Sequence, residues 1–208
     1  MSINVCNNNS MSAITSLPSG VGGGSLVLIS TQTASSSSTI SFTSGLDSTY
    51  KEYIFKFINI HPATAETWFR FNLSIDGGSN YNVTKTSSAF VAYHDEADST
   101  YGKALTYHVH TDLAQSTSNQ SLGYFTGTDN DASLCGTMHL FDPSNTTFAK
   151  HFIMETAYMH DYPAAWTQKY GGYINTTSAV NAVSFIGEYG EGTSGNIDAG
   201  TIILYGIN

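Results

Sequence analysis

The chain has 208 residues and a mass of 22.3 kDa; 40% of the residues are hydrophobic and 12% aromatic, which fits one all-β domain whose core needs no cofactor or staple. Charged residues make up only 11%, against a usual share of about 25%, and the rows of Glu, Lys and Arg that keep helical surfaces soluble are missing. With 7 basic and 16 acidic residues the formal charge is −9, which repels phosphate backbones and anionic headgroups and so excludes nucleic acid and membrane surfaces as partners.

Residues 1–25 are rich in Asn, Ser and Gly, with Asn7-Asn8-Asn9 and Gly22-Gly23-Gly24, and carry no amphipathic period. They read as a short flexible leader, or as an anchor that orders against a neighbouring chain. No Lys or Arg precedes Lys51, so the segment lacks the basic opening of a secretory signal, and Leu26-Val27-Leu28-Ile29 is too short to span a bilayer. The expectation is a soluble chain made in a cytoplasm, without membrane insertion, whose Asn-x-Ser/Thr sequons carry no glycan. Cys6, in the leader, and Cys135, in a strand-like segment, read as free or idle thiols, with a disulfide between them open only to a leader that folds back onto the domain.

The domain proper is expected over residues 26–208. A first strand runs from Leu26 to Thr33, and the polar run Ser35-Ser36-Ser37-Ser38 separates it from the next. Tyr53, Phe55 and Phe57 alternate with Ile54, Lys56 and Ile58; after the His61-Pro62-Ala63 break, Phe69, Phe71, Leu73 and Ile75 alternate with Arg70, Asn72, Ser74 and Asp76. These two strands are expected to be neighbours, the second half-buried. Asp76-Gly77-Gly78-Ser79-Asn80 is a tight turn, and a strand through Tyr81 and Val83 should follow it. Further alternating segments run through Leu105-Tyr107-Val109, Met138-Leu140, Phe152-Met154, Val183-Phe185 and Ile202-Leu204. Many short strands separated by Gly, Asn, Asp and Ser loops predict a two-sheet antiparallel β-sandwich of jelly-roll type.

The stretch Ser44-Gly45-Leu46-Asp47-Ser48-Thr49-Tyr50, then His61-Pro62-Ala63-Thr64, then Ser74-Ile75-Asp76-Gly77-Gly78-Ser79-Asn80-Tyr81, and the ending Ala199-Gly200-Thr201-Ile202-Ile203-Leu204-Tyr205-Gly206-Ile207 carry a resemblance. Over most of residues 26–207 the chain resembles virion structural proteins of marine tailed phages of the cyanophage and pelagiphage type. The resemblance implies a fibre, capsid-decoration or host-attachment module on the virion exterior, made in the host cytoplasm, with other virion proteins and a host surface glycan as partners. It implies neither catalysis nor a cofactor. The low charge leaves long sheet faces and edges to cover, so a homo-oligomer is expected, with a trimer favoured.

Three sets of residues offer other chemistry. In Tyr107-His108-Val109-His110-Thr111-Asp112, strand alternation puts His108, His110 and Asp112 on one face, an arrangement suited to a metal. With Gly102 preceding, it also resembles the start of the first cupin motif, which would make the chain a metalloenzyme; yet Ala114 or Gln115 stands where that family places its Glu, and no second motif follows. The competing reading is the solvent face of a strand whose apolar face is Leu105, Tyr107 and Val109. Asp129 and Asp131 offer oxygen ligands to calcium but lack the loop Gly and the terminal Glu, and read as a turn. Neither set is taken as a metal site. Tyr158, Tyr162, Trp166 and Tyr170 read as aromatic loop residues able to stack on a glycan or dock on a partner, as a free carbohydrate-binding module would use them, or else as caps on the sandwich ends.

Overall fold

The structure, a computed structural model, describes residues 26–100, 102–190 and 192–207. The leader and Cys6 lie outside the described residues. Within them, period-two alternation builds twelve strands and no helix, so none is long and apolar enough to cross a membrane. They are β1 (Leu26–Thr33), β2 (Thr39–Phe42), β3 (Glu52–Pro62), β4 (Thr67–Ser74), β5 (Lys85–Asp95), β6 (Lys103–Tyr107), β7 (Gln120–Thr126), β8 (Leu134–Phe141), β9 (Lys150–Met159), β10 (Ala164–Ile174), β11 (Ala182–Tyr189) and β12 (Ile197–Ile207). Every named pairing is antiparallel. One sheet has eight strands in the order β1-β12-β3-β8-β9-β10-β5-β6; the other has four, β2-β11-β4-β7. The two-sheet antiparallel β-sandwich expected from the sequence is the fold that forms.

The chain shuttles between the sheets. β1, β3, β8 and β12 belong to the first and β2, β4, β7 and β11 to the second, so that in this series the chain changes sheet at every step except from β4 to β7, which pair with each other. The hairpins β5–β6 and β9–β10 interrupt the series and lie side by side, widening the first sheet by four strands.

An aromatic core fills the space between the sheets. Phe185 of β11 is fully buried and meets Phe55 and Phe57 at 5.2 Å, Phe69 at 5.9 Å, Phe42 at 6.1 Å and Phe71 at 6.4 Å between ring centroids. Most of these contacts are edge-to-face, the arrangement that the ring quadrupoles favour.

Three local expectations are corrected. β3 and β4 are not neighbours: the turn after Pro62 carries the chain to the opposite sheet, and the two strands face each other across the core, with Phe57 on Phe69 at 5.3 Å. β4 is buried on both faces near its end, because the segment before β7 lies over it. Asn72 donates to the Thr117 carbonyl at 2.9 Å, and Asn181 N–H donates to the Ser74 carbonyl at 3.0 Å, while Ile75, past the strand end, is exposed. No strand runs through Tyr81 and Val83; residues 81–84 are irregular and β5 begins at Lys85.

The turn at 76–80 is where it was expected. Gly77 and Gly78 have φ of 74° and 91°, values open to glycine. Ser74 Oγ accepts the Gly78 N–H at 3.0 Å, and hydrogen bonds from Ser74 and Asn80 hold the Asp76 pKa down to about 2.

Candidate functional site: an aromatic and histidine cluster beside an open cleft

β6 ends at Tyr107, so His108, His110 and Asp112 do not share a strand face. The chain instead turns at 108–111 and continues along the same edge of β5 that β6 pairs with, where His108 N–H donates to the Ala89 carbonyl at 2.9 Å and Ser87 N–H to the Leu113 carbonyl at 2.9 Å. The register inverts the expected faces, with Leu105 opposite Ala92 and Tyr107 opposite Phe90 in the outward phase of β5. His108 is buried, whereas Leu105, Tyr107 and Val109, read as the apolar inner side, are 72%, 52% and 65% exposed.

The buried ring of His108 sits among other rings. Tyr124 of β7 meets it edge-on at 4.9 Å, Trp166 of β10 lies 5.7 Å away, and His110 5.9 Å. Gln168 Nε2 donates to His108 Nδ1 at 2.9 Å, which leaves Nε2 as the protonated nitrogen of the neutral ring. Burial pushes the His108 pKa below the ordinary histidine value, and the nearby His110 and His160 push it further in the same direction. His160, also buried, packs on Trp166 at 4.4 Å and on Tyr162 at 4.3 Å. It pairs with Asp161, but burial outweighs that carboxylate and lowers its pKa as well.

Beside this cluster lies an open cleft of about 220 Å³ lined by Trp68, Arg70, His110, Asp112 and Asn119, among others. The Arg70 guanidinium lies over the Trp68 ring at 4.1 Å and donates to Glu188 Oε2 at 2.5 Å. Asn119 donates to Glu188 Oε1 at 2.7 Å, and Tyr107 OH to Asp112 Oδ2 at 2.6 Å. Trp68 meets Tyr124 at 4.5 Å, and His110 stacks on Tyr124 at 6.2 Å. The cleft therefore sets aromatic rings beside fixed donors and acceptors, the chemistry that holds a polar ligand with an apolar face.

Among the described residues no group of three or more His, Cys, Asp or Glu is arranged to hold a metal ion. Asp129 and Asp131 stand in the exposed turn between β7 and β8, where the Asp129 carbonyl accepts Ala132 N–H at 2.8 Å. The aromatic loop reading is corrected for three of its four residues. Tyr158, Trp166 and Tyr170 occupy inward positions on β9 and β10 and are buried; Tyr162 alone of the four is exposed. Tyr158 OH accepts the Tyr124 N–H at 3.1 Å, and Tyr170 OH donates to Gln168 Oε1 at 2.5 Å, so both hydroxyls are used inside the fold. Cys135, expected in a strand, is there, exposed and in no disulfide among the described residues.

Sequence reasoning passed over Trp68, Arg70, Tyr124, His160 and Glu188, since each is one polar or aromatic residue in an ordinary strand or turn. Trp68, Arg70, Tyr124 and Glu188 meet because β4, β7 and β11 are neighbours in the four-stranded sheet, and His160 reaches them from the β9–β10 hairpin of the other sheet. No family model matches the chain, and neither does any curated protein or solved structure.

Proposed function

We propose that the protein is a contact module rather than an enzyme, a jelly-roll sandwich that associates with copies of itself on the exterior of a tailed-phage particle. The jelly-roll reading is supported by the strand orders β1-β12-β3-β8 and β2-β11-β4-β7, which remain when the two inserted hairpins are set aside. The virion reading is supported by the sequence resemblance and the low charge. The observation that carries the contact reading is the uncovered outer face of the inserted strands, where Phe90 (47% exposed) lies directly opposite Tyr107, flanked by Leu105 and Val109. A cluster of this kind marks an interaction surface.

The face suits a second copy electrostatically despite the charge of −9. Glu155 on it pairs with Lys169 at 3.1 Å, so that carboxylate is already matched. Light scattering at micromolar concentration tests the reading. The expected mass is near three times 22.3 kDa, the favoured trimer, and Leu105→Lys with Val109→Lys should return it to one chain. A monodisperse single chain for the unmodified protein rejects it, and labelling of intact particles tests the virion placement.

A second reading, glycan binding, is favoured by the cleft at Trp68, Arg70 and His110. Binding on a glycan array that is lost in Trp68→Ala, with the assembly mass unchanged, would support it.

A further inference from the structure

Lys85, the first residue of β5, is fully buried, and among the described residues no carboxylate forms an ion pair with it. It falls in the inward phase of its strand with Ser87, Ala89 and Val91. Its backbone is pinned on both sides, Lys85 N–H donating to the Ser116 carbonyl at 2.8 Å and Ser116 N–H to the Lys85 carbonyl at 2.9 Å. From that fixed base the side chain reaches across to the other sheet. Nζ donates to Asn72 Oδ1 at 2.6 Å and to the Val83 carbonyl at 2.8 Å. Burial brings its pKa down to about 7, so a sizeable fraction is free amine at neutral pH.

Asn72 is buried and held with equal definition. Its Oδ1 also accepts the Leu73 N–H at 2.9 Å, while Nδ2 donates to the Thr117 carbonyl at 2.9 Å and to Asn119 Oδ1 at 3.0 Å. Donors on the oxygen and acceptors on the nitrogen fix which end of the amide is which. Asn119 is in turn held by Glu188, whose other oxygen is bound by Arg70. Because a carbonyl bond is about 1.23 Å long, the Asn72 Cγ lies no farther than about 3.8 Å from Lys85 Nζ. That is close to the reacting distance of about 3–3.5 Å at which an orientated pair gains most from proximity. The Leu73 N–H is already placed on the oxygen that would take negative charge during attack.

We propose that Lys85 and Asn72 join in an intramolecular isopeptide bond. Neutral Nζ attacks Cγ, the Nζ–Cγ bond forms and the Cγ–Nδ2 bond breaks. The proton shed by Nζ passes to Nδ2, which leaves as ammonia, so the step balances without oxidant or reductant. The Thr117 carbonyl and Asn119 orient the leaving nitrogen, and Glu188 orients Asn119. The product ties β4 of the four-stranded sheet to β5, the first of the inserted strands, across the glycine turn at 76–80. It anchors the hairpin insertion to the sandwich and does not depend on self-association.

The test is the intact mass of the denatured full chain after several days at pH 8, with a tryptic digest. The expected mass is one ammonia below that of the sequence. Asn72 and Lys85 lie between the same two trypsin sites, so the digest should contain residues 71–103 as one looped peptide short of one ammonia, uncut at Lys85 because an acylated lysine is not a trypsin site. Asn72→Ala and Lys85→Met should each keep their full sequence mass. A full mass for the unmodified protein, with cleavage after Lys85, overturns the proposal. Ammonia loss with cleavage after Lys85, as succinimide formation at an asparagine would give, overturns it too.

Discussion

Replacing Phe185 by alanine removes the ring on which five other phenylalanines converge, from a position with no solvent exposure. Deleting a buried Phe side chain costs about 3–5 kcal/mol, part of it lost transfer energy and part the cavity left behind. The upper half of that range applies here, because the ring is wedged between two sheets whose backbones are held by ladders and cannot close inward. The edge-to-face contacts with Phe42, Phe55 and Phe57 are lost as well, each worth about 0.5–1.5 kcal/mol beyond area burial, though they overlap and do not add. A loss of about 4–5 kcal/mol is therefore expected, a large part of the roughly 5–15 kcal/mol that holds a domain folded. Urea titration followed by tyrosine and tryptophan fluorescence reads it. With a slope of about 3 kcal/mol per molar, reasonable for a domain of this size, the midpoint falls by about 1.5 M. Phe185→Leu keeps most of the volume and should cost only about 1–2 kcal/mol. A midpoint shift for the alanine variant below about 0.5 M at unchanged slope would show that Phe185 is not the centre of the core.

The turn at 76–80 separates two costs. Gly77→Val meets no atom within 4 Å and should lose about 1–2 kcal/mol through its positive φ alone, whereas Gly78→Val also drives Cβ to 2.8 Å from Thr43 Cγ2 and Tyr81 Oη and should lose more; thermal melts of the two compare them. Equal melting temperatures for the two variants would contradict the geometry. Below about pH 6.5 the His108–His160 cluster should weaken the fold. Both pKa values are depressed by burial, so the unfolded chain binds protons first, and stability present above the ordinary histidine value is lost as the pH falls through it. His61 is shifted the opposite way, and aspartates such as Asp47 and Asp95 titrate below their ordinary value, so the contribution is read as a difference. Urea midpoints at pH 8 and pH 5.5 should converge for His108→Gln with His160→Gln relative to the unmodified chain; an equal drop in both proteins would place the pH sensitivity elsewhere.

Much of the secondary structure was legible because alternation is local. The inward residues Tyr53, Phe55, Phe57, Phe69, Phe71 and Leu73 could be picked out from spacing alone, and so could the glycine turn, since two adjacent residues at positive φ admit few other sequences. Sparse charge and the absence of helical periodicity were enough to indicate an all-β sandwich.

Period two says that a strand has two faces but not which face is covered. Leu105, Tyr107 and Val109 have the pattern of a buried side, yet the register of β6 sets Leu105 opposite Ala92 and Tyr107 opposite Phe90, in the outward phase of β5, so the apolar residues stay out and His108 goes in. Likewise Trp166 and Tyr170, beside a Pro-Ala-Ala stretch that suggests a loop, are drawn inside because β10 is hydrogen-bonded between β9 and β5 and its inward positions must be filled. Sheet membership is non-local in the same way: β3 and β4 are adjacent in sequence and opposed in space. The Lys85–Asn72 contact exists only because the inserted hairpin is laid alongside β10 while β4 stays in the other sheet, and alternation along either strand carries no information about the distance between them.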